Sequence, residues 1–351
     1  MRKPLTKQQV IEAIERTSAD AQVPLLMHKW WGDGTYEKYG EPLTKLAEQY
    51  PDDFFMSWFV CPGADESPLA NPEYRWGYKD YTGAERHSIG ESAELLTDWS
   101  ELDLFLESFP NPNEDGNFAN VISELKAAKA AGDERYKIGC FWRLFHERLW
   151  EIRGMENLFM DYYDNMDGLN VVARKLMDFY KVILDRYAEL GFDGIFTSDD
   201  LGHQTGPMMS PDVFREFYLP LYIEFMEYAH SKGLHVFLHS CGDNSLLMDY
   251  LIEAGLDVFH PVQKGCMDEV ETAKKFGNKI TFLAGFDVQH LLPEGTPDEV
   301  RNGIINMARA FYKPEGGLLI ASGNGIMPDV SLENIEVMLD TVTNIREYLE
   351  L

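Results

Sequence analysis

Short apolar runs alternate along most of this chain with longer segments whose apolar residues recur every three to four positions. This is the pattern of strands followed by amphipathic helices. The second half shows it most regularly. Residues 192–200 (FDGIFTSDD) read as a strand, 210–233 as a helix closed by Gly233, and LHVFLHS from Leu234 as the next strand. The series continues through a helix at 245–255, a strand at 256–262, a helix at 267–277 and a strand at 279–287. A helix at 296–312, a strand at 316–322 and one final helix at 331–349 complete it. Glycine just past the periodic stretch is a favoured helix stop, and Ser210-Pro211-Asp212 is a good helix start, with Pro at the first helical position.

The first half is less regular. The pattern predicts an amphipathic helix over about 5–18, strands beginning at Val23 and at Asp53, and a helix at 121–134. A strand at 136–142 and a long helix ending at Gly191 follow. Between them, from about 61 to 120, lies a polar stretch with Pro, Gly and aromatics such as Tyr74, Trp76, Tyr78 and Tyr81. A loop this long in a compact fold covers a site or an edge. Counting from Val23 gives eight strands, each followed by a helix or by the insertion in its place. Repeated units of this kind argue for a parallel sheet, and eight of them for a closed (β/α)8 TIM barrel. The 351 residues fit a single barrel domain over 1–351. The competing open doubly wound sheet lacks support in its dinucleotide form, because no G-x-G-x-x-G follows the first strand.

Charge narrows the partners. With 59 acidic against 31 basic residues, the formal net charge is -28. A surface so negative repels nucleic acid and anionic lipid, which leaves a small molecule as the expected ligand. Cys61, Cys140, Cys241 and Cys266 show no paired spacing, and no leader-like or membrane-length apolar segment stands out. Reduced thiols and a cytoplasmic location are the expectation.

Barrel chemistry sits at the C-terminal ends of the strands. Here those ends carry Trp30, Trp142, Asp199, Asp200, His239, Cys241, His260, Gln263, Asp287 and Asn324. His239 and Cys241 are two apart at a strand end, so both project to one side. An imidazole and a thiol presented together are ligands for a borderline metal such as zinc. The competing reading makes Cys241 a small buried hydrophobe and His239 a hydrogen-bonded structural residue. Asp199 and Asp200 are adjacent, so one of them faces the mouth. It would ligate metal, act as acid or base, or orient His203 or His239, unless both merely cap helices or loops. Asp287 is a further candidate catalytic carboxylate. Trp30, Trp142, His203, Gln263 and Asn324 are the candidates to contact substrate. For Gln263 and His260 the plainer role is to satisfy buried loop backbone, and Trp30 and Trp142 would serve equally as core.

The runs GFDGIFTSDDLGHQTGPMMSPDVFREFYLPLY, HVFLHSCGDNSLLMDYLIEAGLDVFHPVQ, FGNKITFLAGFDVQHLLPEGTPDEV and GGLLIASGNGI resemble the uroporphyrinogen decarboxylase superfamily. Within it, the chain is nearest the corrinoid-dependent methyltransferase branch. The resemblance extends from about Tyr136 to the C-terminus and implies a single (β/α)8 barrel. In that branch zinc is held by a His-x-Cys pair, matched here by His239 and Cys241, and by a further Cys after the last strand, where Asn324 stands instead. The resemblance therefore implies a Zn(II) methyltransferase or demethylase with a carboxylate, Asp199, Asp200 or Asp287, in place of the missing thiolate. Methyl would move between a small methoxylated compound or thiol and a cobamide carried on a partner protein. Porphyrinogen decarboxylases proper carry an Arg-rich segment after the first strand and an Asp after the second. His28-Lys29-Trp30-Trp31 and Met56-Ser57-Trp58-Phe59 have neither. A related decarboxylase and a non-catalytic metal-binding or ligand-binding barrel remain the alternatives.

Overall fold

The computed structural model describes residues 2–59, 95–107, 109–114 and 116–349. Its centre is an eight-stranded parallel sheet. The barrel strands are β1 (Leu25–Leu26), β2 (Phe54–Trp58), β3 (Tyr136–Cys140), β4 (Gly194–Ser198), β5 (His235–His239), β6 (Val258–His260), β7 (Thr281–Phe286) and β8 (Leu318–Ser322). Their order around the sheet is β1-β8-β7-β6-β5-β4-β3-β2. Strands of two to six residues run almost entirely buried, as a parallel sheet covered on both faces demands. The ladder brings Ser198, His239 and His260 side by side at one level, at the ends of β4, β5 and β6.

The seam between β1 and β2 is closed differently. β1 is two residues long and leaves amides without ladder partners, which must be satisfied elsewhere. The Asp53 N–H donates to Leu25 O at 3.0 Å. The Asp53 carboxylate accepts from Leu25 N at 2.8 Å, and the Asp52 carboxylate accepts from Met27 N at 2.6 Å and His28 N at 3.0 Å. Two consecutive carboxylates thus stitch the barrel shut where the ladder gives out.

Inside the barrel, Leu26, Phe54, Ile138, Phe196, Phe237, Val258, Leu283 and Leu319 fill the bore, with Trp30 at its upper end. The helix Lys7–Glu15 plugs the lower end with Val10 and Ile14. Its last turn is tied to the strands: Thr281 Oγ1 donates to Ile14 O at 2.7 Å and Gly317 N to Ala13 O at 2.8 Å. A larger apolar layer packs the outer helices onto the sheet, burying for instance Leu176, Tyr180, Phe225, Ile304 and Met338.

Several elements depart from the expected pattern. The last helix is two, Leu332–Thr343 and Ile345–Leu349, divided at Asn344, whose side-chain N–H donates to Asp340 O at 3.0 Å. The segment at 210–233 contains a π turn, Phe214–Tyr218, between two α-helical pieces. Two short helices, His146–Arg153 and Met155–Asp164, follow β3 where no helix was expected. The first buries residues around most of its circumference, polar ones included, so no single stripe marks it in the sequence, and the second buries only Leu158, Asp161 and Tyr162. His28 lies past the first strand in a 3-10 turn, His28–Trp30. The described end of the insertion is a 3-10 turn, Trp99–Glu101, and a helix, Leu102–Glu107. Cys61 and the aromatics from Tyr74 to Tyr81 lie outside the described residues. Among the described residues, no helix is long and apolar enough to cross a membrane.

Candidate metal centre

His239 ends β5, and Cys241 follows two residues later on the same side of the backbone. Cys241 Sγ lies 3.2 Å from His239 Nε2. Asp200, just beyond β4, brings Oδ1 to 3.6 Å from the same nitrogen. The same Oδ1 accepts the Cys241 backbone N–H at 2.8 Å, which locks the carboxylate beside the thiol. The nitrogen, sulfur and oxygen all fall within 4.8 Å of one another, at the mouth of the barrel. One imidazole, one thiol and one carboxylate suit a borderline divalent ion such as zinc, and three protein donors leave a fourth position open. The donor set therefore fits the expected metal.

The protonation of His239 follows from what stands behind it. His260 is fully buried, and its Nε2 is 3.0 Å from the Ser322 carbonyl. A carbonyl only accepts, so that nitrogen carries the hydrogen. The Nδ1 of neutral His260 is then a bare acceptor, 2.8 Å from His239 Nδ1, which must donate. His239 is left with an unprotonated Nε2 facing Cys241 and Asp200. A buried relay thus presets the tautomer that ligates metal. Trp30 stacks on His260 at 4.9 Å and 10°, and Trp142 tilts over His239 at 5.8 Å, so indole rings seal the cluster from below.

Electrostatics around the cluster run against free charge. Burial, then the negative charge of Asp200, pushes the Cys241 thiol well above its ordinary value. A bound cation reverses such a shift by stabilising the thiolate directly. Glu147 is a second buried acid close by, and it accepts a hydrogen bond from Ser198 Oγ at 2.5 Å. Burial, then the charges of Asp200 and Asp199, raises its carboxyl well above the usual range.

The two aspartates of the SDD sequence separate. Asp199 is fully buried and points away from the cluster. Its oxygens accept the backbone N–H groups of Phe145, His146 and Glu147 at 2.7 to 3.0 Å and the Tyr222 hydroxyl at 2.6 Å. It caps the helix His146–Arg153, which has no side-chain cap of its own. With both oxygens occupied, Asp199 is a structural residue rather than the catalytic acid entertained from the sequence. Asp287 lines the cleft above Cys241 with Gln263 and Asn324. Its Oδ1, however, accepts Gln289 N and His290 N and so holds its own loop. His203 sits exposed in a small hairpin, Gly202–His203 with Gly206–Pro207, and does not join the cleft lining. The hairpin matters through its backbone, because His203 O accepts Asp243 N at 2.7 Å and steadies the turn after Cys241.

Asn324 takes the place expected for a third thiolate. Its Oδ1 accepts Gly325 N at 2.7 Å, and its Nδ2 approaches Cys241 Sγ at 3.6 Å. The amide therefore offers the sulfur an N–H rather than offering a metal its oxygen. Two residues at the site have roles that the sequence does not show. Glu147 reads as an ordinary acid in a first helical turn. His260 stands at a strand end, but its role depends on His239 and Ser322, which periodicity cannot connect to it.

A family model described as Uroporphyrinogen decarboxylase (URO-D) matches residues 150–345. Among curated proteins, the methylated-thiol–coenzyme M methyltransferase of Methanosarcina mazei is 27% identical over 154 residues, 43% of this chain. The match spans 39% of that relative's length. A solved structure of a methyltransferase from Methanosarcina mazei superposes with a TM-score of 0.67, covering 97% of this chain and 98% of that one at 16% identity. That likeness shows a shared fold.

Proposed function

This chain belongs to the uroporphyrinogen decarboxylase family, and from that premise we propose that it is a metal-dependent methyltransferase. In this reading His239, Cys241 and Asp200 hold one divalent ion, Zn(II) by the character of the donors. Methyl passes between a small methylated compound, on oxygen or sulfur, and a cobamide carried by a partner protein. The observation that carries the reading is the convergence of three unlike donors within 4.8 Å at the barrel mouth, with the imidazole already in its ligating tautomer. The methyltransferase name of the curated relative supports it.

When bound, the ion supplies Lewis acidity at the heteroatom that loses or gains methyl. The chain's own residues prepare that position. His260 and the Ser322 carbonyl hold His239 deprotonated at Nε2. Asp200 fixes the backbone of Cys241 while presenting a carboxylate oxygen beside the sulfur. Trp30 and Trp142 keep water from the underside of the cluster.

Porphyrinogen decarboxylation calls for basic groups to receive many carboxylates. Arg143 and Arg148 are both buried on Glu151, the former at 2.8 Å. Among the described residues, the cleft over Cys241 presents a single base, Lys264, itself paired with Glu269 at 2.7 Å. One paired base suits a substrate with few carboxylates better than a porphyrinogen with many.

Elemental analysis of the untagged protein tests the proposal, with His239→Ala, Cys241→Ala and Asp200→Ala alongside. The expected result is near-stoichiometric zinc in the wild type and loss in all three variants. Wild-type protein that stays metal-free after zinc supplementation overturns it.

A further inference from the structure

A groove opens at the end of the barrel opposite the metal centre, beside the start of the plugging helix Lys7–Glu15 and the N-terminal ends of β2 and β3. Its volume is about 1140 Å³. Five of its fifteen lining residues are basic and three are acidic. The chain as a whole runs the other way, with 59 acids to 31 bases. Arg2, Lys3, Lys7, Arg135 and Lys137 therefore make a positive island in a strongly negative surface.

The ion pairs here have a consistent direction. Arg2 pairs with Asp53 at 2.6 Å, Lys7 with Asp193, and Arg135 with Asp133 at 2.6 Å. In each pair the cation is the more exposed partner, 13% against 0%, 49% against 8% and 27% against 17%. Neither Asp53 nor Asp193 lines the groove, whereas the bases they hold do. The carboxylates stand behind and the positive ends face the open space. Lys3 and Lys137 have no ion-pair partner among the described residues. Glu48 and Glu134, both exposed, are the acids of the lining that no base holds.

The kind of anion follows from how the bases are used. A compact phosphate is gripped by a free guanidinium fork or by a nest of backbone N–H groups. Both forks here are spent. Arg2 donates Nη1 to Pro51 O at 2.9 Å and Nη2 to Asp53, while Arg135 gives Nε and Nη2 to Asp133 and Nη1 to Asp52 O at 3.1 Å. What remains is positive charge spread along the groove rather than gathered at one point. Pro4, Leu5 and Pro51, each half-buried, add apolar lining, and the volume exceeds that of an ordinary small-molecule pocket. Spread charge with apolar surface between is complementary to an extended chain of carboxylates carrying a few apolar side chains. We infer that this groove docks an acidic segment of a partner protein. Its place at the lower end leaves the barrel mouth uncovered, so docking and chemistry use opposite faces. The inference stands apart from the methyl-transfer reading.

Fluorescence anisotropy at physiological ionic strength tests it, where screening over about 8 Å confines the attraction to the groove. The probe is a short labelled peptide of Glu with interspersed Leu. Lys3→Glu with Lys137→Glu reverses two charges of the groove. Lys274→Glu with Lys275→Glu makes the same change of charge on the distant helix Glu269–Phe276, where both lysines are exposed. The expected result is binding to the wild type, at least about tenfold weaker binding to the groove variant, and wild-type binding to the control variant. Thermal unfolding of both variants is expected to match the wild type. A peptide that fails to bind the wild type, or that binds the two variants alike, overturns the inference. Tripolyphosphate that binds more tightly than the peptide and is lost in the groove variant makes this a small-anion site and also overturns it. So does a wild-type dimer in sedimentation that the groove variant breaks, which assigns the groove to a second copy of the chain. Should the double variant unfold, Lys3→Glu alone, exposed and outside every helix and strand, carries the same comparison.

Discussion

The Nδ1 atoms of His239 and His260 lie 2.8 Å apart, and the Ser322 carbonyl behind them decides which one donates. His260 thus orients a ligand without being one. Outer partners of this kind commonly govern metal affinity by roughly 10–100-fold. His260→Phe keeps the ring stacking with Trp30 but removes both hydrogen bonds. Competitive chelator titration should show zinc affinity reduced by about that factor, with His239 and Cys241 intact.

Asp199 and Asp200 are neighbours with opposite duties. Removing Asp200 should empty the site and leave stability nearly unchanged, since its side chain is about a third exposed. Removing Asp199 should do the reverse. Asp199→Ala strips four hydrogen bonds from buried donors and uncaps the helix His146–Arg153. A loss of about 3–5 kcal/mol is expected from urea unfolding, typical for breaking a buried charged network.

His146 is buried without a charge partner, and its basicity is lowered to about 3 by that burial. Its Nδ1 meets the hydroxyls of Tyr218 at 3.1 Å and Tyr162 at 3.2 Å. The unfolded chain takes up the proton near pH 6.5, the folded one only near pH 3. The unfolded state therefore binds more protons between those values, and stability falls as pH drops through that window. The full effect is on the order of 5 kcal/mol. His146→Gln should flatten the dependence of unfolding free energy on pH between about 6.5 and 4 by nearly one proton.

Gly242 occupies φ 81, and a Cβ there would meet Gly202 C at 2.2 Å and Gly202 O at 2.3 Å. Both the backbone angle and the hairpin forbid a side chain. Gly242→Ala should push the hairpin away and disturb the turn that carries Cys241. Loss of bound zinc together with at least about 2 kcal/mol of stability is expected, measured by metal analysis and thermal unfolding.

The barrel was readable because every strand is a short apolar run ended by a turn, and eight such runs admit few other closures. The His239 and Cys241 pair was readable because alternation of side chains is local. Choosing between Asp199 and Asp200 was not. β4 ends at Ser198, so alternation no longer governs the next two residues, and the cap on a helix 50 residues earlier decides which turns inward. The roles of Glu147 and His260 were hidden for a related reason. Their partners are Ser198, His239 and Ser322, and no periodicity links positions that distant. The end of the chain reads as one helix because the apolar repeat crosses Asn344 without a phase break.

The helix Lys7–Glu15 precedes every barrel strand along the chain, yet part of the surface that receives it comes from the last two of them. It closes on Thr281 and Gly317, beside strands synthesised some 270 residues later, and Lys7 pairs with Asp193 on the way. Until β7 and β8 have emerged, the cluster that buries its apolar stripe of Val10 and Ile14 lacks Leu283 and Leu319. The nascent chain therefore carries that stripe only partly covered until those two strands are made. Shielding of an amphipathic segment, and not strand pairing alone, enters the assembly of this barrel.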